Sequence, residues 1–177
     1  MKAFANFDHP LEMLEACHGR IRDQCETLRR LAAHLPHRGS DNQAREAAVA
    51  VIRYFDTAGE LHHFDEERDL LPRMMAAARG EEAARIGQCV ERLHADHHAM
   101  REAWRALRTK LERITRGERV SLQESEVGEF AARYDAHIAF EEETVLPFAR
   151  ALLGPAELAA LGAAMTARRT QRPDRNG

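Results

Sequence analysis

The segment His62-His-Phe-Asp-Glu66-Glu-Arg-Asp-Leu-Leu-Pro72 recurs 75 residues later as His137-Ile-Ala-Phe-Glu141-Glu-Glu-Thr-Val-Leu-Pro147. In each copy a His and a Glu stand four residues apart, one helical turn. Imidazole and carboxylate then project from one helix face and can grip one metal centre. A fainter repeat precedes each copy: Leu14-Glu-Ala-Cys-His18-Gly-Arg-Ile21-Arg22 aligns with Leu93-His-Ala-Asp-His97-His-Ala-Met100-Arg101, setting His18 over His97. The chain thus reads as a duplicated two-helix unit, in which four helices supply four His and two Glu.

Composition agrees with helices. The 177 residues are rich in Ala, Leu, Arg and Glu, and only 6% are aromatic, which favours helix over sheet. The pattern predicts an all-α, up-down-up-down four-helix bundle with a short C-terminal fifth helix. One domain is expected over residues 1–170, with a disordered tail at 171–177. With a net charge of -3 and Arg interspersed with Glu, no basic surface forms, so nucleic acid is not expected as a partner. No apolar run approaches the roughly 20 residues that span a bilayer, and the N-terminal residues lack the apolar stretch expected of a signal peptide. A cytoplasmic protein with no membrane partner is the expectation. Cys17, Cys25 and Cys89 lack CxxC spacing, and the first two, about 12 Å apart on one helix, are beyond disulfide reach. All three are read as reduced. Cys17 abuts His18 and could offer a thiolate, but a small buried Cys is the preferred reading.

The first helix is expected from Asp8 and Pro10 to about Leu35, where Pro36-His-Arg-Gly39 breaks it. The second runs from Asp41 towards Arg79 with a bend at Pro72, and the third from Glu81 to Arg116. Ser121-Leu-Gln-Glu124 reads as a capping box for the fourth, which reaches Leu153 with a bend at Pro147. Apolar stripes at helical spacing carry His18 between Leu14 and Ile21, and His97 between Leu93 and Met100. They also carry His62 and Glu66 after Val51, Phe55 and Gly59, and His137 and Glu141 after Phe130 and Tyr134. Counted from the loops at one end of the bundle, the four His differ in depth by about 8 Å at most. They form one layer in mid-bundle.

A buried carboxylate without a partner costs several kcal/mol, so two among four imidazoles need compensating charge. Metal ions supply it. Imidazole and carboxylate without thiolate suit iron, manganese or zinc. The expected cofactor is a pair of iron ions, oxo- or hydroxo-bridged, each on two His, with Glu66 and Glu141 spanning both. A rival Glu-x-x-His pattern exists in Glu60-Leu-His-His63 and Glu91-Arg-Leu-His94, but it lies off the second helix's stripe and is absent from the fourth. His63, His34, His37 and His9 read as surface or loop residues. Glu67 and Glu142 could turn in as ligands or receive imidazole hydrogen bonds, but are read first as solvated helix-face residues.

The two His-x-x-x-Glu-Glu blocks ending in Leu-Pro make roughly residues 8 to 150 resemble the hemerythrin-like HHE cation-binding domains, with the Asp-x-Pro-Leu opening and the Gly-Pro-Ala-Glu-Leu start of the fifth helix in support. The resemblance implies a non-haem di-iron bundle that binds small diatomic molecules or redox-active oxidants, with His18, His62, Glu66, His97, His137 and Glu141 as metal ligands. The oxygen-carrying hemerythrins look like a five-His site. Here Leu93 stands where the extra His of the third helix would be, and His94 could serve only as an outer ligand if the helix turned.

Beside the layer the stripes bring Ile21, Gly59, Met100 and Tyr134 together, then Cys25, Phe55, Trp104 and Phe130. An apolar wall beside an open metal site suits a small uncharged ligand. Gly59 is read as making room for Tyr134. Three functions follow: a protein that binds or senses O2 or NO or handles iron, an enzyme that reduces NO or peroxide, and a structural zinc module. A redox partner is not legible.

Overall fold

The computed structural model describes residues 6–171, and these form helices with no strand among them. Helix α1 spans Pro10–Arg38, α2 residues 42–77, α3 Gly80–Thr115, α4 residues 124–152 and α5 Pro155–Thr170. Helices α1 and α3 each lie against both α2 and α4, which closes an antiparallel four-helix bundle. The tail proposed at 171–177 falls, from 172 on, outside the described residues.

Helix ends follow local chemistry with two departures from expectation. Asp41 caps α2, its side chain accepting from Ala44 N at 2.9 Å, and Gly39 and Gly117 take φ of +64° and +76° after α1 and α3, where side chains are strained. Helix α1 does not break at Leu35 but continues through Pro36 to Arg38. Proline's φ is helical, and the loss of one ladder hydrogen bond does not end the helix, which closes with Gly39 N–H donating to Leu35 O at 2.8 Å. The capping box at Ser121 does not form either. Helix α4 begins at Glu124 with Gln123 before it, and Gln123 Nε2 donates to Ser121 Oγ at 2.5 Å, while Leu122 is drawn into the core.

Helices α2 and α4 do not simply bend at their prolines. Each widens into a π-helical turn just before one, at Glu66–Leu70 and Glu141–Val145, where Leu71 N–H donates to Glu66 O and Leu146 N–H to Glu141 O. The ring of Pro72 or Pro147 would collide with the carbonyl four residues earlier, and a wider turn relieves that. A third π-turn spans Phe55–Gly59.

The apolar core is split in two. One cluster runs from Ile21 to Leu35 and through Phe55, Met100, Phe130 and Tyr134. The other joins Leu11, Leu14, Leu70, Met74, Leu93 and Val145 to Leu161 and Met165 of α5. Between them lies a layer of buried His and Glu. Helix α5 closes the second end, held by Arg169 Nη2, 2.7 Å from Asp65 Oδ2, and by Arg168 on Asp65 and Asp69. The residues around Phe7 cross α5 at Gly162, where a Cβ would come 2.0 Å from Phe7 O.

Candidate metal centre

All six anticipated residues meet in that layer. His18, His62 and His97 are wholly buried, and His137, Glu66 and Glu141 nearly so. Their potential ligating atoms form two sets, each within 4.8 Å: His18, His62, Glu66 and Glu141, and Glu66, His97, His137 and Glu141. The two carboxylates belong to both sets, so two cations could share them.

The atoms converge without satisfying one another. His18 Nε2 lies 3.0 Å from Glu141 Oε2, and His62 Nε2 3.1 Å from Glu66 Oε1, yet His18 Nε2, Glu141 Oε2 and both nitrogens of His62 have no aligned hydrogen bond. His97 Nε2 and His137 Nε2 approach to 3.1 Å. Burial raises the Glu66 carboxyl well above the usual range, and neighbouring Glu141 raises it further. Burial pushes Glu141 the same way, but His137, His18 and His62 outweigh it and hold its carboxyl low. Burial and then His18 depress His62. Lone pairs and negative charge gather at one point, the arrangement a cation would satisfy.

Behind the layer, acidic residues fix the rings. Glu67 Oε1 accepts from His97 Nδ1 at 2.8 Å and from Arg101 at 2.9 Å. Glu142 Oε1 accepts from His18 Nδ1 at 3.0 Å and from Arg22 at 3.2 Å. Asp96 Oδ2 lies 3.4 Å from His137 Nδ1. A ring that donates Nδ1–H outward keeps the Nε2 lone pair facing the layer. Glu67 and Glu142 are therefore imidazole partners and not the solvated residues first read. The signal was in the fainter repeat, because Arg22 and Arg101 each follow a layer His by four residues.

The largest correction concerns His63. It is buried at 5% exposure, stacks on His97 with ring centroids 4.1 Å apart, and forms a third set with His97 and His137. The π-turn at Phe55–Gly59 takes in about one extra residue, so a position past the regular stripe comes round to the core. Hydrophobic spacing alone does not register such a turn. His94 is exposed and joins none of the sets, as the regular α3 helix requires. Cys17 is buried and outside the sets, with Arg20 Nη2 donating to its sulfur at 3.2 Å. Gly59 makes room for Phe55, not Tyr134: a Cβ there would lie 3.3 Å from Phe55 Cδ1.

A family profile described as Hemerythrin HHE cation binding domain matches residues 9–149, which cover every residue of the layer. The chain is also 31% identical over 166 residues to an uncharacterized protein of Haemophilus influenzae, a match that covers 94% of this chain and 93% of that protein. No helix among the described residues is long and apolar enough to cross a membrane.

Proposed function

Because the chain belongs to the hemerythrin HHE cation-binding family, we propose that its buried layer holds two iron ions and that the protein binds or senses a small diatomic ligand such as O2 or NO, or handles iron. One observation carries the reading. Among the described residues, the buried side-chain atoms left without a hydrogen bond are His18 Nε2, both nitrogens of His62, His63 Nε2, Glu66 Oε2 and Glu141 Oε2, all in the layer, with Gln24 Oε1 the exception elsewhere. Buried polar atoms are otherwise nearly always satisfied, so their concentration at one point marks a missing partner of positive charge.

In this reading His18 and His62 hold one ion and His97 and His137 the other. Glu66 and Glu141 contribute to both, and His63 stands beside the second. A bound pair of irons supplies redox chemistry and coordination positions for a diatomic ligand. Glu67, Glu142 and Asp96 keep the rings oriented, and Phe55, Phe130 and Tyr134 form the apolar side of the layer. An imidazole and carboxylate donor set without thiolate suits iron, manganese or zinc. Iron is the member of that group that fits a ligand-binding role.

The test is metal content and visible absorption of protein purified without added metal, before and after anaerobic reduction and return to air. The expected result is about two irons per chain, with charge-transfer bands that bleach on reduction and recover or change on exposure to O2 or NO. Zinc in the purified protein and refusal of iron on reconstitution would overturn the reading.

A further inference from the structure

His63 lies outside both four-residue sets, yet it is buried and its Nε2 has no hydrogen bond. A buried polar atom left unpaired costs about 1–3 kcal/mol, so this nitrogen implies a partner. One ring nitrogen of His63 lies within 4.8 Å of a ring nitrogen of His97 and of one of His137, which brings direct ligation of their ion into consideration. The ring planes do not allow it as they stand. Imidazole binds a cation about 2 Å away through a lone pair in its ring plane. The rings of His63 and His97 are stacked, with centroids 4.1 Å apart and planes inclined by only 17°, and two such planes do not meet at one ion. Tyr134 also stacks on His63, at 6.1 Å and 16°, which fixes that plane.

Glu67 holds Nδ1 of His97, so an ion bound by this ring lies on its Nε2 side. The stacked His63 nitrogen then stands beside that ion, off the His97 plane by about a ring spacing. A molecule bound to the ion on that side comes within hydrogen-bond reach of it. The other half of the duplicated chain has Ile138 at the position that matches His63, fully buried and without a polar group. One half of the layer thus carries an N–H that the other lacks. We infer that His63 donates a hydrogen bond through Nε2–H to the small ligand held at the ion of His97 and His137, and so directs to that ion a ligand that gathers negative charge on binding. The inference rests on the metal pair proposed above and adds to it which ion takes the ligand.

Azide is the probe, a small anion that accepts hydrogen bonds. The experiment loads wild type and His63→Leu with iron, oxidises both, and reads azide affinity from the visible spectrum and the azide antisymmetric stretch from the infrared. Both proteins should hold about two irons per chain. His63→Leu should bind azide about ten-fold more weakly and move the stretch. In wild type the stretch should also shift in deuterium oxide, and His63→Leu should lose that shift. His63→Gln, which keeps an N–H, should recover part of the affinity. Unchanged azide affinity and stretch in His63→Leu, or loss of iron from it, would overturn the inference and leave the metal pair standing. Should leucine prevent folding, the wild-type deuterium shift decides, and its absence overturns the inference. A wild type that takes up no iron would overturn both.

Discussion

Glu67 Oε1 stands 2.8 Å from His97 Nδ1, and the other half of the duplicated chain repeats the relationship between Glu142 and His18 at 3.0 Å. The same carboxylate oxygen in each case also accepts from an arginine one turn beyond that His on its helix. The hydrogen bond from His97 holds the Glu67 carboxyl down at about 2 against the effect of burial, with Arg101 assisting. Glu67→Ala should lower metal affinity roughly 10–100-fold, measured by competition with a chelator. Glu67→Gln keeps an acceptor oxygen and should lose less. Equal losses would show that charge and not acceptance orients the ring.

Glu66 carries the opposite expectation for stability and for binding. Its carboxyl is raised by burial and by Glu141, so the metal-free fold holds an acid that is poorly compensated. Glu66→Gln should stabilise the metal-free protein by about 1 kcal/mol while metal binding is lost, since Glu66 belongs to both four-residue sets. Thermal unfolding with and without metal, alongside metal analysis, reads both effects. A lower melting temperature for the metal-free variant would contradict this.

Asp65 is fully buried and answers both Arg168 and Arg169 of α5. Asp65→Ala would leave Arg169 without its carboxylate and Arg168 with Asp69 alone, and should cost about 3–5 kcal/mol. Denaturant unfolding measures it. The same change combined with Arg169→Met should cost less than the sum of the two single changes.

Gly162→Ala separates helix propensity from packing. Propensity alone predicts a gain of about 1 kcal/mol. The added Cβ would meet Phe7 O at 2.0 Å and Phe7 C at 3.2 Å, which forces backbone apart and should destabilise by about 1–3 kcal/mol. The sign of the shift in melting temperature decides between the two.

Cys25 makes stability fall at alkaline pH. Burial pushes its thiol up to about 12, and Asp135 adds to the effect. An unfolded thiol ionises near its ordinary value of 9.0. The folded state keeps the proton, so this contribution is whole below about pH 9 and is lost between about pH 9 and 12. By about pH 11 the wild type should have lost about 2–3 kcal/mol more than Cys25→Val. Parallel alkaline losses in the two proteins would refute the assignment.

The repeated His-x-x-x-Glu made the layer legible because a regular helix returns to the same face every three to four residues, and both copies obey that rule. Depth was legible for the same reason, since rise per residue is constant along each helix. His63 was not legible. It enters the core only because Phe55–Gly59 is a π-turn, and that turn has no proline after it to announce it. The turns before Pro72 and Pro147 did carry such a signal, read too simply as bends. Asp96 was missed because its partnership with His137 links α3 to α4 and has no counterpart in chain spacing.

By itself, then, the sequence determined an all-helical bundle, the match of its two halves, and the six side chains that converge at mid-depth. Those properties follow from periodicity, which is local and additive along a helix. The tertiary structure decided which side chains stand behind the ligating atoms, that His63 joins them, that Phe55 and not Tyr134 takes the space beside Gly59, and that α5 is fastened through Asp65. Each of these depends on the rotation and distance between helices, quantities set by packing across the bundle and not by any stretch of chain alone.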